Sequence, residues 1–419
     1  MKVFWRVVLV IVTLIVFVVG FVGATVAFDI TQPSVAGSSQ QIRFVVYKGD
    51  TTASIADRLQ QVGLIRNALL FRLWARYRHL DRGIEPGVYF LSPGMTMDQI
   101  ILKLQNGIPD VVKVTVPDPL RVTQYPSYIN GLPNFSAKTF LSITKTGVEP
   151  NGTPLWQKYW YVEKPQPHVV WALEGYLYPD TYEFDRTADA TTVVETMLNE
   201  LGYQLCPGPA SQPDAYIFNK AQCKAHAITV NGQNIFTAME QSYSTTDDTL
   251  ALYDTLIIAS LTAREINSYS DAIGVATVYH NRYLAYVALQ NGQTLGDTQG
   301  YMGSDPSAEY ARDTDTPPTN GKWWTACAVQ CTYVDPESFY NTEAPGQDST
   351  QPSANHPGLP PGPIAAPVLQ EITAAAAPQS ETKFPYFYFV SDKCGKIYYA
   401  TDYNDFINNV EPKQYTGSC

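Results

Sequence analysis

One carboxylate in this chain stands where chemistry is possible. In LIIASLTAREINSYSDA, residues 256–272, an apolar run of helical spacing ends on Arg264-Glu265. Leu261 and Ile258 lie one and two turns back on the face that carries Glu265. Ser268-Tyr269-Ser270-Asp271 breaks the helix just beyond, so Glu265 is expected in its last turn. The partial negative charge of a helix C-terminus disfavours an ionised carboxylate, and apolar surroundings act in the same direction. Both raise the carboxyl pKa. An acid kept protonated near neutrality is what protonation of a glycosidic oxygen requires, so the spacing suits a general acid. Glutamates near helix ends are more often solvated surface residues, and the rest of the chain has to decide between the two.

The six cysteines are the other reactive set: Cys206, Cys223, Cys327, Cys331, Cys394 and Cys419, all in the C-terminal half. An even number in an oxidising compartment implies disulfides, although spacing alone does not fix the pairing. Cys206 with Cys223 is the expected bridge, and Cys327–Cys331 and Cys394–Cys419 follow as further pairs. Cys327 and Cys331 also have a C-x3-C spacing compatible with half a zinc site, but no second close pair or nearby histidine completes four ligands. Neither metal nor cofactor is expected.

The elements that must position Glu265 begin after an apolar segment. Following Lys2 and Arg6, Val7–Phe28 runs for 22 residues without a charge. At 1.5 Å per residue it reaches about 33 Å, enough for a hydrocarbon core of about 30 Å. Positive charges before it and Asp29 after it put the N-terminus in the cytoplasm and the bulk of the chain outside, as a single-pass protein of the cell membrane. ATVA at 24–27 offers a cleavage site, but the run is longer than the apolar part of a signal peptide, which favours a retained anchor. Residues 29–41, DITQPSVAGSSQQ, have the composition of a linker.

A β-α-α-β-α module follows. IRFVVYKG alternates as a strand, TTASIADRLQQVGLI and NALLFRLWARYRHL have helical spacing, EPGVYFLSPG is a strand and turn, and MTMDQIILKLQNG is a helix stopped by Gly107. VVKVTVPDPL is then a strand ended by prolines. Residues 125–170 and 203–248 are rich in turn formers and are expected to be loop-rich insertions. A helix is expected to run through Leu201, and two more from Tyr253 to Leu289. Residues 290–363 are expected to be mostly irregular, and PYFYFVSD with KIYYAT to form paired strands turning at Lys393–Gly395. The net charge of −11, with 16% charged residues and no Lys/Arg run, argues against a nucleic-acid partner. The 28 tyrosines and 30 prolines give surfaces with apolar faces and polar edges, compatible with sugar stacking.

Several stretches resemble those of the YceG-like endolytic murein transglycosylases. LIIASLTAREINSYSDAIGVATVYHNR is similar to that family's catalytic helix pair, and LEGYLYPDTY at 173–182 to its LEGYLFPDTY. SDPSAEYA at 304–311, YNT at 340–342, GLPPGPIAAP at 358–367 and YFYFVSD at 386–392 resemble further motifs in the same order. The module at 43–107 is similar to the family's LysM-like subdomain. The resemblance implies an α+β protein: a transmembrane helix in 1–28, a linker at 29–41, a LysM-like βααβα module at 42–110, and a larger α+β catalytic domain at 111–419. In that domain a lysozyme-like helix carries the catalytic glutamate, with insertions near 125–170, 203–248 and 291–303.

By the same resemblance Glu265 aligns with the catalytic glutamate, and Glu174, Gln290, Asp305, Tyr340, Asn341 and Thr342 with positions lining the glycan groove. Glu174 and Asp305 are equally readable as helix or turn caps. The implied reaction cleaves within peptidoglycan glycan strands, between N-acetylmuramic acid and N-acetylglucosamine, and leaves a 1,6-anhydro end. One residue acts as acid and then base, and no water is consumed; ordinary glycosidases use two carboxylates. Cell-wall synthesis machinery is an implied partner. Three departures stand out. Ala263 replaces an acidic residue two before the catalytic position, which leaves Glu265 without that partner charge. Thirteen residues, 291–303, separate Gln290 from the SDPSAEYA motif. YNT continues with Glu343 instead of an aromatic. The alternative is a membrane-tethered peptidoglycan-binding scaffold with an inactive site.

Overall fold

The computed structural model describes residues 13, 17, 25, 27–38, 40–46, 50–79, 84, 87–105, 111–186, 188–208, 217–325, 338–342 and 356–416. The anchor expected over Val7–Phe28 lies outside these apart from Thr13, Phe17, Thr25, Ala27 and Phe28. Among the described residues no helix is long and apolar enough to cross a membrane. The chain divides into two compact units, Met1–Val112 with Glu183–Thr187, and Lys113–Tyr182 with Ala188–Cys419.

In the first unit β1 (Ile42–Val46) pairs antiparallel with β2 (Gly87–Leu91), from Ile42 opposite Leu91 to Val46 opposite Gly87. Between them run α1 (Thr52–Gln61) and α2 (Ala68–Tyr77), and α3 (Met97–Gln105) follows. The order β-α-α-β-α is the one the sequence pattern predicts. Thr51 and Ser54 form a capping box at the start of α1, and Asn67 caps α2. Strand alternation turns Phe44, Val46, Tyr89 and Leu91 inward onto Ile55, Leu59, Phe71, Ile100 and Leu104. The stretch expected as a free linker is instead bound to this module. The Ser34 hydroxyl donates to Gly63 O at 2.6 Å, the Val35 N–H to Pro93 O at 2.9 Å, and the Ser92 hydroxyl to Ser38 O at 2.9 Å. Its polar composition supplies those bonds, which a composition rule for linkers does not foresee.

β3 (Val111–Thr115) and β4 (Thr181–Asp185) form a two-stranded sheet. The described helices of eight or more residues in the second unit are α4 (Ala137–Thr146), α5 (Ala190–Leu205), α6 (Ile235–Ser242), α7 (Asp248–Glu265), α8 (Ala272–Gln290), α9 (Asp305–Asp315) and α10 (Leu369–Ala376). A hairpin, β5 (Tyr388–Ser391) with β6 (Ile397–Ala400), turns at Asp392–Lys396 near the C-terminus. α7 is buried around most of its circumference, with Ala251, Leu252, Leu256, Ile257, Ile258 and Leu261 all enclosed. A helix of that kind belongs in the interior, and α7 packs against α6, α8, α9 and α10.

Four elements differ from expectation. α4 and α6 lie inside the segments predicted as loop-rich, with Phe140, Phe236 and Met239 fully buried. Both helices are short and flanked by turn formers, so the turn signal masks the helical one. α9 lies in the stretch expected to be irregular; its DPSAEYARDTD is too polar to show apolar periodicity. α7 begins at Asp248, ahead of the expected Tyr253, because Asp247 caps it by accepting from Thr249 N and Leu250 N.

The expected disulfide is present: Cys206, after α5, is bonded to Cys223, with Cα atoms 5.1 Å apart. Cys394 is also disulfide-bonded, while Cys327, Cys331 and Cys419 lie outside the described residues.

Candidate active site

Glu265 is the last residue of α7, half-buried, with its surroundings supplied by α8 and α9. The hydroxyl of Tyr279, a fully buried residue of α8, donates to Glu265 Oε1 at 2.8 Å. The carboxyl pKa is pushed up from 4.5 to about 7. Burial is the largest cause, followed by the charge of Asp305; Glu309 adds to the rise, while the Tyr279 hydrogen bond and Arg282 oppose it. Asp305 is exposed in the first turn of α9 and Glu309 is buried one turn further on. Ala263 therefore does not leave Glu265 alone, because α9 brings two acidic neighbours that sequence proximity does not show.

The polar run Tyr279-His280-Asn281-Arg282 in the middle of α8 explains how these groups are held. Each side chain reaches a different partner. His280 Nε2 meets Ser242 O at 2.9 Å, and Asn281 Nδ2 donates to Phe384 O at 2.8 Å and Tyr386 O at 2.9 Å. Arg282 donates through Nε to Phe387 O at 2.6 Å, and through Nη1 to Met302 O and to Gly303 O, the latter at 3.2 Å. Four polar side chains in a row inside a buried helix require partners. That run is the signal by which Tyr279 and Arg282 were findable, and the sequence reading missed both.

Thr342 is buried and fixes the start of α9. Its carbonyl accepts from Gly303 N at 2.8 Å, its hydroxyl accepts from Ser304 N at 3.2 Å, and the same hydroxyl lies 2.5 Å from Ser307 Oγ. Asn341 is fully buried beside it, and Tyr340 is buried with its ring 4.9 Å from that of Tyr310 on α9. Glu174 is also buried, accepting from Val122 N at 2.9 Å and from the Tyr310 hydroxyl at 3.1 Å. Burial pushes its pKa to about 8 against the opposing charge of Arg121. Of the predicted groove residues only Asp305 is thus placed, exposed, beside Glu265. Glu174, Tyr340 and Thr342 are enclosed and touch α9 or its start, Asn341 is enclosed next to them in the chain, and Gln290 is exposed at the far end of α8, about 16 Å along the helix from Tyr279.

Two glycine motifs brace α7. Gly175 has φ +80° and a Cβ there would lie 2.6 Å from Pro363 Cβ, so LEGYLYP and GLPPGPI meet through that missing side chain. The second motif is tied to α7 by the Tyr253 hydroxyl, which donates to Pro361 O at 2.6 Å, and by Ile364 N, which donates to Ser260 Oγ at 3.1 Å. Beside Glu265, the Arg264 guanidinium lies 4.2 Å from the centre of the Trp324 ring. Among the described residues no group of three or more His, Cys, Asp or Glu is arranged to hold a metal ion.

Comparison with known proteins agrees on one family. The model of the YceG-like family matches residues 44–412. An endolytic murein transglycosylase of Streptococcus pneumoniae D39 is 23% identical over 407 residues, covering 93% of this chain and 62% of that protein. One from Bacillus subtilis 168 is 22% identical over 401 residues, covering 93% of this chain and 89% of that protein. The chain thus spans less than two thirds of the streptococcal relative's length. A solved YceG-like protein of Listeria monocytogenes covers 88% of this chain and 98% of its own at 21% identity and a TM-score of 0.46.

Proposed function

Because the chain belongs to the YceG-like family, we propose that it is an endolytic murein transglycosylase in which Glu265 is the catalytic acid and base. The observation that carries this reading is the state of Glu265: half-buried, hydrogen-bonded by Tyr279, and with a pKa raised to about 7, so that it holds its proton near neutrality. In the proposed reaction the Glu265 carboxylic acid gives its proton to the glycosidic oxygen leaving C1 of N-acetylmuramic acid. The substrate's acetamido oxygen stabilises C1 as that bond breaks. The C6 hydroxyl then attacks C1, its proton passes to the Glu265 carboxylate, and a 1,6-anhydro ring closes with the enzyme restored. A pKa near the working pH favours a group that must first give and then take a proton.

Asp305 adds to burial in keeping that proton on Glu265 and, being exposed, would meet the glycan. Glu174, Tyr340 and Thr342 are positioning residues for α9, and Gln290 is a peripheral contact. The anchor at Val7–Phe28 would hold the LysM-like module on the outer face of the cell membrane. It would do so with little slack, since residues 34–38 are bound to that module.

Glu265→Gln tests the reading. The variant is expected to fold and to bind glycan, and to release 1,6-anhydromuramyl ends at least about a hundredfold more slowly than the wild type, measured by mass spectrometry of digested peptidoglycan. A variant retaining more than about a tenth of the rate would remove Glu265 from its role. A wild-type chain that binds glycan and yields no anhydro ends would instead be the inactive scaffold.

A further inference from the structure

A second carboxylate lies on the same helical stripe as Glu265. Asp254 precedes it by eleven residues, about 16 Å along the axis and nearly in line around it. The stripe between them is closed, because Ile258 and Leu261 are fully buried, so Asp254 belongs to separate surroundings. There a cleft of about 270 Å³ is lined by Asp254, Tyr253, Tyr283, Tyr286 and Gln166, with Pro357–Pro361 as its wall. Gly358 is needed in that wall: it has φ +100°, and a Cβ would come within 3.1 Å of the Tyr286 ring.

The polar groups of the cleft are largely uncommitted. Tyr253 is engaged with Pro361 O, and Gln166 donates to Glu163 Oε1 at 2.6 Å. The Asp254 carboxylate and the hydroxyls of Tyr283 and Tyr286 have no hydrogen-bond partner among the described residues. The local charge has one sign, since Glu163 stands behind Asp254, Asp247 acts on Glu163, and no lysine or arginine lines the cleft. A carboxylate in such a place is costly unless a cation comes to it. Burial and Glu163 together push the Asp254 pKa to about 7, the response of an acid that lacks a counter-charge. Tyrosine rings beside an acid are suited to an alkylammonium, held by charge at its head and by ring faces along its stem.

We propose that this cleft is a binding site for a primary alkylammonium group carried on a peptide, with Asp254 as its counter-ion and Tyr283 and Tyr286 as its walls. On the function proposed above, such an amine belongs to the peptide stem of the murein strand, so the cleft would sense a stem while Glu265 acts on the glycan. The site would then favour strands whose stem amine is free over strands in which it is already cross-linked.

The test uses the full chain in detergent and a glycan-free tripeptide with a C-terminal lysine, titrated by calorimetry beside the same peptide acetylated at Nζ. The free-amine peptide is expected to bind at least about tenfold more tightly than the acetylated one, and Asp254→Asn to abolish that difference. Tyr286→Phe keeps the ring wall and should retain most of the preference, which separates loss of the counter-ion from general damage to the cleft. Equal affinity for the two peptides, or a preference that survives Asp254→Asn, overturns the proposal. No glycan is cut in this experiment, so its failure leaves the role of Glu265 intact, and a chain without glycan-cleaving activity must still discriminate between the peptides.

Discussion

At the residue scale, the proton on Glu265 is under two controls of opposite sign. Asp305 raises the carboxyl pKa by its charge and Tyr279 lowers it by donating a hydrogen bond. A reaction that begins with protonated Glu265 loses rate as pH rises through that pKa, so kcat/KM is expected to fall on the alkaline side of about pH 7. Asp305→Asn should move the descending limb to lower pH, and Tyr279→Phe should move it to higher pH. Rate profiles from pH 5 to 9 on purified glycan strands check both, and shifts of the same sign would show that at least one of the two does not act through Glu265. The place of Glu265 at the end of a buried helix was legible because the largely apolar run LIIASLTA closes on a carboxylate. Its neighbours were not. Tyr279 reads as one more aromatic in a buried helix, and Asp305 is brought in from 40 positions away by packing alone.

The elements show the same division between local and non-local signals. The β-α-α-β-α module was legible because its alternation and caps are written into neighbouring residues, Thr51 with Ser54 and Asn67 with Leu70 among them. α9 was not, because its start depends on Thr342, a residue from another segment. That dependence is testable. Thr342→Val keeps the shape but leaves the Ser304 N–H without its acceptor in a buried place, a loss of about 1–3 kcal/mol. Denaturant unfolding should show that loss. With the first turn of α9 loosened, Asp305 is held less firmly beside Glu265, and the alkaline limb should drift toward lower pH as it does in Asp305→Asn. A stability loss with an unmoved limb would confine Thr342 to packing.

Across the whole molecule, buried acids set the pH at which the fold is most stable. Glu174 is raised to about 8, and Asp254, Glu265 and Glu371 to about 7 each, with burial the largest cause in every case. Each folded-state pKa lies above its unfolded value, so the folded chain holds more protons than the unfolded one between about pH 4.5 and 8. Stability is therefore complete at the acid end of that window and is lost as pH rises through about 7. Against the opposing effect of burial, Glu149 is shifted down by its hydrogen bond with Glu195 and by Lys158, and Asp248 by Lys220 and Lys224, and their contribution fades only below the ordinary carboxylate range. Melting temperatures measured from pH 4 to 9 should peak near about pH 5 and decline toward 8; a profile flat or rising over that interval contradicts the assignment. The grip of Arg282 carries a different consequence. It binds the carbonyls of Met302, Gly303 and Phe387, stretches that reach α8 through space as well as along the chain. Residues 291–294 form an exposed turn, so peptide continuity there is expected to be dispensable for the folded state. A protease site placed there should yield two fragments that co-elute on gel filtration, and the halves, expressed as a split protein, should reassemble around α8, with Arg282→Ala weakening that reassembly.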